Sequence, residues 1–134
     1  MVRLLNYHGD MSTPGRTYQE YQSFRTELNE KILARGTTIT KRFFTIDTKA
    51  YEPGAIDRKT KEMLGLSASM VLRCDDCIAY HIDQCILSGA TDEELFEILD
   101  IALIVGGSIV IPHLRRAVEF IDQCRTHQEE RDDG

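Results

Sequence analysis

The stretch RCDDCIAYH, Arg73 to His81, sets Cys74 and Cys77 two residues apart and places a histidine four residues after the second cysteine. On a helix those spacings put both sulfurs and the imidazole on one face, with Cys77 the closer neighbour of His81. A thiol attacks only as the thiolate, and both a helix N-terminus and an adjacent imidazole favour that form. A pair so placed suits disulfide exchange, because the second sulfur can resolve an oxidised first one. The same residue types also bind zinc, and a buried cysteine often acts as a small hydrophobe. Zinc lacks an evident fourth ligand, since the chain has no second CxxC and no HxxxH. On spacing alone a redox dithiol, a zinc clip and inert packing all stay open.

The elements that must carry this face read as helices. From Thr17, apolar positions Tyr18, Tyr21, Phe24, Leu28 and Ile32 recur three or four apart and predict a first helix ending at Gly36. The segment TTITKRFFTIDTKAYEPGA has no sustained period and contains Pro53-Gly54, so it reads as a connector with one short helical turn around Phe43 and Phe44. Asp57 caps a second helix running to about Arg73, apolar nearly all round in its later part and therefore central. A third helix starts near Cys74 and stops at Ser88, with Gly89 as terminator. Thr91 and Glu94 fit a capping box that opens a fourth helix through about Val105, and a fifth runs from the Gly106-Gly107 pair to about Gln123. No strand, repeat or low-complexity tract is evident. The expected fold class is all-α.

At 134 residues and 42% apolar content the chain fits one domain, with 1–12 and 127–134 as flexible tails. The longest apolar run, IALIVGGSIVI, is broken by glycines and falls short of the ~20 residues of a spanning helix. A net charge of -6 with scattered basic residues argues against nucleic acid as a partner. The first thirty residues lack the order of a signal peptide, so four cysteines point away from a secreted disulfide framework and the expected location is cytoplasmic.

The run from Gly54 to Phe120, GAIDRKTKEMLGLSASMVLRCDDCIAYHIDQCILSGATDEELFEILDIALIVGGSIVIPHLRRAVEF, resembles the carboxymuconolactone decarboxylase superfamily. Within it the likeness is to the alkylhydroperoxidase D-like (AhpD-like) branch: a Glu, then CxxC, then a His four beyond, then a helix opening GAT-EE. That resemblance implies a helical bundle of about five to six helices that forms a homo-oligomer, a dimer, trimer or hexamer. It also implies a CxxC redox couple served by a proton relay. The matching positions are Glu62, Cys74, Cys77 and His81, with Glu62 twelve residues before Cys74. Peroxidase members of the branch carry a histidine immediately before the second cysteine, where this chain has Asp76. A negative charge there opposes thiolate formation at Cys77, which weakens the expectation of peroxidase activity more than that of thiol-disulfide exchange.

The resulting expectation is a thiol-disulfide oxidoreductase or weak alkyl hydroperoxide reductase, with His81 as base and Glu62 as relay. Its substrate is a peroxide or a disulfide. Asp76 and Cys85 are possible modulators, although packing is the plainer role for Cys85. No nucleotide or flavin signature is present, so no cofactor is expected and electrons come from a protein or a small-thiol reductant. Two alternatives remain: a zinc module using Cys74, Cys77, His81 and Glu62, and a lactone decarboxylase that needs neither cysteine. His113 reads as a helix-start residue, His8 and His127 fall in the expected tails, and Cys124 has no inferable partner.

Overall fold

The computed structural model describes residues 17–134, all-α in fold with six α-helices and one 3-10 turn; the expected arm at 1–12 lies outside them. The helices are α1 (Tyr18–Arg35), α2 (Thr38–Ala50), α3 (Arg58–Leu72), α4 (Asp75–Leu87), α5 (Asp92–Gly106) and α6 (Ile111–Asp133). A 3-10 turn, Ser108–Val110, joins the last two. Side chains close the N-termini where the sequence offers oxygen or sulfur. Thr17, Thr37 and Asp57 accept from the backbone N–H three residues on, and Thr91 and Glu94 form the reciprocal capping box. Gly89, at φ +93°, supplies the left-handed residue after α4.

The core is a sandwich of α3 on α4 and α5, backed by α6 against α4 and by α1 against α6. Leu66 and Met70 from α3, Ile82 and Cys85 from α4, Leu95 and Leu99 from α5, and Phe120 and Ile121 from α6 are buried. Helix α3 is central but not buried all round: Leu64 and Leu72 face outwards. No helix among the described residues is long and apolar enough to cross a membrane.

Two expectations fail. The supposed connector is the full helix α2, capped by Thr37. Its Thr45 and Thr48 hydroxyls donate to the carbonyls of Lys41 and Phe44, four residues back, so β-branched residues sit in the helix with their polar groups satisfied. Its apolar positions Ile39, Phe43 and Ile46 do follow helical spacing, but they are exposed. The second failure is the C-terminal tail, which continues α6 through Asp133. Burial of Cys124, stacking of His127 on Tyr18 at 4.1 Å and the Arg125 bonds to Asp92 and the Ala90 carbonyl fasten that extension.

Candidate redox site

Helix α3 ends in an unusual way. Arg73 adopts the left-handed conformation (φ 60°, ψ 41°) and turns the chain so that Cys74 becomes the N-cap of α4. The Cys74 Sγ accepts from the Cys77 backbone N–H at 3.3 Å, as a serine or aspartate oxygen would at that position. The two sulfurs are 2.6 Å apart. Cys74 is half-buried and Cys77 is exposed. Protein packed around one side of the Cys77 sulfur, then the Cys74 sulfur, then the Asp76 carboxylate push the Cys77 thiol up to about 12. The expectation that Asp76 opposes ionisation of Cys77 agrees in sign, although burial is the larger cause.

The neighbouring aspartate is placed differently. Asp75 accepts from His113 Nδ1 at 2.7 Å through one oxygen and from Arg116 Nε at 2.9 Å through the other. Two donors on the first turns of α6 therefore hold the first residue of α4, and the Arg116 guanidinium offsets its charge. His113 is thus more than a helix-start residue.

One turn further along α4 lies the second half of the site. Glu62 is fully buried on α3, and its Oε1 accepts from His81 Nδ1 at 2.8 Å. A carboxylate on Nδ1 fixes the tautomer with its proton there and leaves Nε2 as the acceptor. Glu62 Oε2 is buried without a hydrogen bond; Arg58 Nη2 stands 3.6 Å away and is itself bonded to Gln84. The imidazole lies flat on Gly65, three residues after Glu62: a Cβ there would meet its ring atoms at 2.6 to 2.8 Å.

What meets His81 Nε2 is the hydroxyl of Tyr51, the C-cap residue of α2, at 3.5 Å. No hydrogen bond among the described residues joins either cysteine to His81. Burial, then the charges of Glu62 and Asp47, raise the Tyr51 phenol above its ordinary range, and Cys77 is near enough to add to that shift. Tyr80 packs edge-on against the same imidazole at 5.2 Å. Tyr51 and Gly65 were missed in the sequence. No local signal marks Tyr51, thirty residues from His81, whereas Gly65 inside an apolar helix is a hint that something approaches closely.

Cys85 follows His81 by one turn but is fully buried, and burial pushes its thiol up to about 12. It packs the core and does not line the site. Cys124 is likewise buried. Among the described residues no three His, Cys, Asp or Glu side chains converge to hold a metal ion, so the four-ligand zinc set of Cys74, Cys77, His81 and Glu62 does not assemble.

The family model for carboxymuconolactone decarboxylase matches residues 37–120, which include α2, the CxxC and the Glu62–His81 pair. The chain belongs to that family. A family protein of Thermotoga maritima, for which involvement in an antioxidative response has been suggested, is 59% identical. The match covers 83% of this chain and 94% of that one, with a TM-score of 0.79. A Legionella pneumophila family protein, in its apo form, is 27% identical over 81% of this chain and 95% of its own, with a TM-score of 0.69. The uncharacterized protein 4 of the cox locus of Paracoccus denitrificans is 25% identical over 66% of this chain and 79% of its own. The AhpD-like resemblance is consistent with these matches.

Proposed function

We propose that this family member is a thiol-disulfide oxidoreductase, with weak alkyl hydroperoxide reductase activity, that works through Cys74 and Cys77. The observation that carries the reading is the 2.6 Å approach of the two sulfurs at the start of α4, one turn before the buried Glu62–His81 pair. The helix N-terminus gives the Cys74 sulfur an N–H to accept, and His81, bonded to neither cysteine, stands one turn on as the nearest base.

With a hydroperoxide, the Cys77 thiolate attacks the outer oxygen, the O–O bond breaks and the alcohol leaves. Cys77 is then a sulfenic acid. Cys74 attacks that sulfur, water departs, and the two thiols have given up two electrons as a disulfide. The proton from Cys77 enters the group formed by Tyr51, His81 and Glu62 and returns to the departing alkoxide. A disulfide substrate follows the same course with a thiolate as leaving group. An external dithiol, on a protein or a small molecule, restores the reduced pair. We assign the chain to a homo-oligomer because α5 leaves Ile101, Ile104 and Val105, three and four residues apart on one helical face, exposed.

The test is to oxidise reduced protein with one equivalent of peroxide and map the product by mass spectrometry. A Cys74–Cys77 disulfide that an added dithiol reverses is expected. Protein that keeps both thiols, or that converts a lactone equally well after replacement of both cysteines, would refute the redox reading.

A further inference from the structure

Helices α1 and α2 enclose a cleft of about 320 Å³ that reaches the first turn of α4. Phe24, Leu28 and Ile32 form its wall on α1, and Phe43 and Phe44 form the wall on α2. Its charged lining is Arg25, Asp47 and Asp76. Asp76 immediately precedes Cys77, so the cleft ends at the turn that bears the exposed sulfur. The Arg25 guanidinium lies over the face of Tyr80 at 4.1 Å, and Tyr80 is the ring packed edge-on against His81. The one cation of the cleft is thus held against an aromatic face, while two carboxylates line the same space.

We propose that this cleft holds the body of the oxidised substrate, and that it takes an uncharged aryl or branched-alkyl group and rejects anions. The inference rests on the redox reading above and adds to it where the substrate sits and by what chemistry it is chosen. Three phenylalanine rings and two aliphatic side chains bury an apolar body of the size that about 300 Å³ accommodates. An anion entering the same space meets the exposed carboxylates of Asp47 and Asp76, whose repulsion acts at short range and is screened by salt. Cys77 does not itself line the cleft, and the reducible bond, O–O or S–S, reaches it by projecting from the Asp76 end. With an aryl disulfide, the Cys77 thiolate displaces one aryl thiolate to form a mixed disulfide. Cys74 displaces the second, the pair becomes a disulfide, and two aryl thiols carry away the two electrons and the two protons.

Two aryl disulfides of like reactivity and unlike charge test the selection: uncharged 4,4′-dithiodipyridine and dianionic 5,5′-dithiobis(2-nitrobenzoate). Cumene hydroperoxide and hydrogen peroxide form the O–O arm. Rates with the reduced full chain are normalised to those of a free dithiol. The uncharged disulfide is expected to be favoured, and the rate of the dianion should rise with salt, which screens repulsion. Asp47→Asn should raise the dianion's rate about threefold relative to that of the uncharged reagent. Phe43→Ser, at an exposed position that folding tolerates, should slow dithiodipyridine and cumene hydroperoxide about tenfold while sparing hydrogen peroxide and iodoacetamide. Binding of 2-phenylpropan-2-ol, which cannot react, should shift the NMR signals of Phe24 and Phe43 even when both cysteines are serine. Binding without any disulfide formation keeps the cleft and discards the redox reading. Disulfide formation with unshifted Phe signals and unchanged selectivity in both variants discards the cleft, and a second copy of the chain filling it would give that result.

Discussion

Gly65 is the floor on which His81 lies: a methyl group on its Cα would stand 2.6 Å from the imidazole Cε1 and 2.8 Å from both ring nitrogens. The ring is held from below by this missing side chain and from one edge by Glu62. A helical Gly→Ala change ordinarily stabilises by about 1 kcal/mol, so the sign of the effect here is diagnostic. Gly65→Ala should destabilise by about 1–3 kcal/mol, the range for overfilling a packed site, and should slow cysteine alkylation. In a His81→Ala background, where the space is vacant and Glu62 has lost its partner with either residue at position 65, Gly65→Ala should instead be neutral or stabilising. Urea unfolding of the single and double variants measures both.

Asp76 lies beside a sulfur whose ionisation the surroundings oppose. Its like charge is one cause, after burial and Cys74, of the rise of the Cys77 thiol to about 12. Removing the charge must lower that pKa. Asp76→Asn, and more so Asp76→His, should therefore increase the alkylation rate of Cys77 at neutral pH and its rate with peroxide. A pH profile of alkylation followed by mass spectrometry reports the shift, and an unchanged profile would refute the electrostatic role.

The exposed apolar face of α5 sets an expectation for assembly. Ile104 is 83% exposed within a helix whose opposite face supplies Leu95, Leu99 and Ala102 to the core. Ile104→Asp touches no buried contact, so the fold should survive. Sedimentation velocity at micromolar concentration should show an oligomer for the parent chain and a smaller species for the variant. A parent chain that sediments as a monomer would contradict the assignment.

Cys85 gives the protein a pH liability. Its buried thiol is pushed up to about 12, against about 8.5 for a thiol in an unfolded chain. Below 8.5 both states keep the proton and folding is indifferent to pH through this group. Between 8.5 and 12 only the unfolded chain releases it, so stability falls by up to ~1.4 kcal/mol per pH unit for this site. Cys85→Ala should make the alkaline fall shallower, the buried Cys124 thiol, raised in the same direction, supplying part of what remains, while lowering stability at pH 7 through the space it leaves. Thermal melts from pH 7 to 11 check the sign.

What the sequence shows of this arrangement is what local chemistry carries. Cys74 ahead of an acidic first turn, Asp57 and the Thr91–Glu94 box each mark a helix start within a few residues, and each is a cap in the structure. Helix α2 escapes because its threonines imitate strand composition and Pro53-Gly54 suggests a connector, although Ile39, Phe43 and Ile46 recur at helical spacing. Tyr51 escapes with it, since a residue read as part of a connector gives no reason to meet His81. The C-terminal extension of α6 escapes because charged residues hide the helical positions of Cys124 and His127. Glu62 is legible only through the family pattern, because Lys59 and Lys61 beside it suggest a solvated surface.

The route of the proton is the relationship most open to direct test. His81 Nε2 faces Tyr51 and not a sulfur, so the imidazole acts on Cys77 through the phenol. His81→Ala should slow alkylation of Cys77 at neutral pH. Tyr51→Phe should slow it in the same direction, because the ring stays and only the hydroxyl is lost. Glu62→Gln should have a smaller effect of the same sign, since it acts through the histidine. Any two of these changes together should cost less than the sum of their separate costs, as expected of groups in one chain of bonds. If Tyr51→Phe changes nothing while His81→Ala still slows the thiol, the phenol is a packing neighbour and the proton moves by another path. The cysteines themselves fix the order. Replacing Cys77 should abolish turnover, whereas Cys74→Ser should allow one oxidation and then stall with a sulfenic acid on Cys77. Were the first adduct found on Cys74 instead, the cap position that gives its sulfur the Cys77 N–H would be the activating feature, and the helix N-terminus would outrank the histidine.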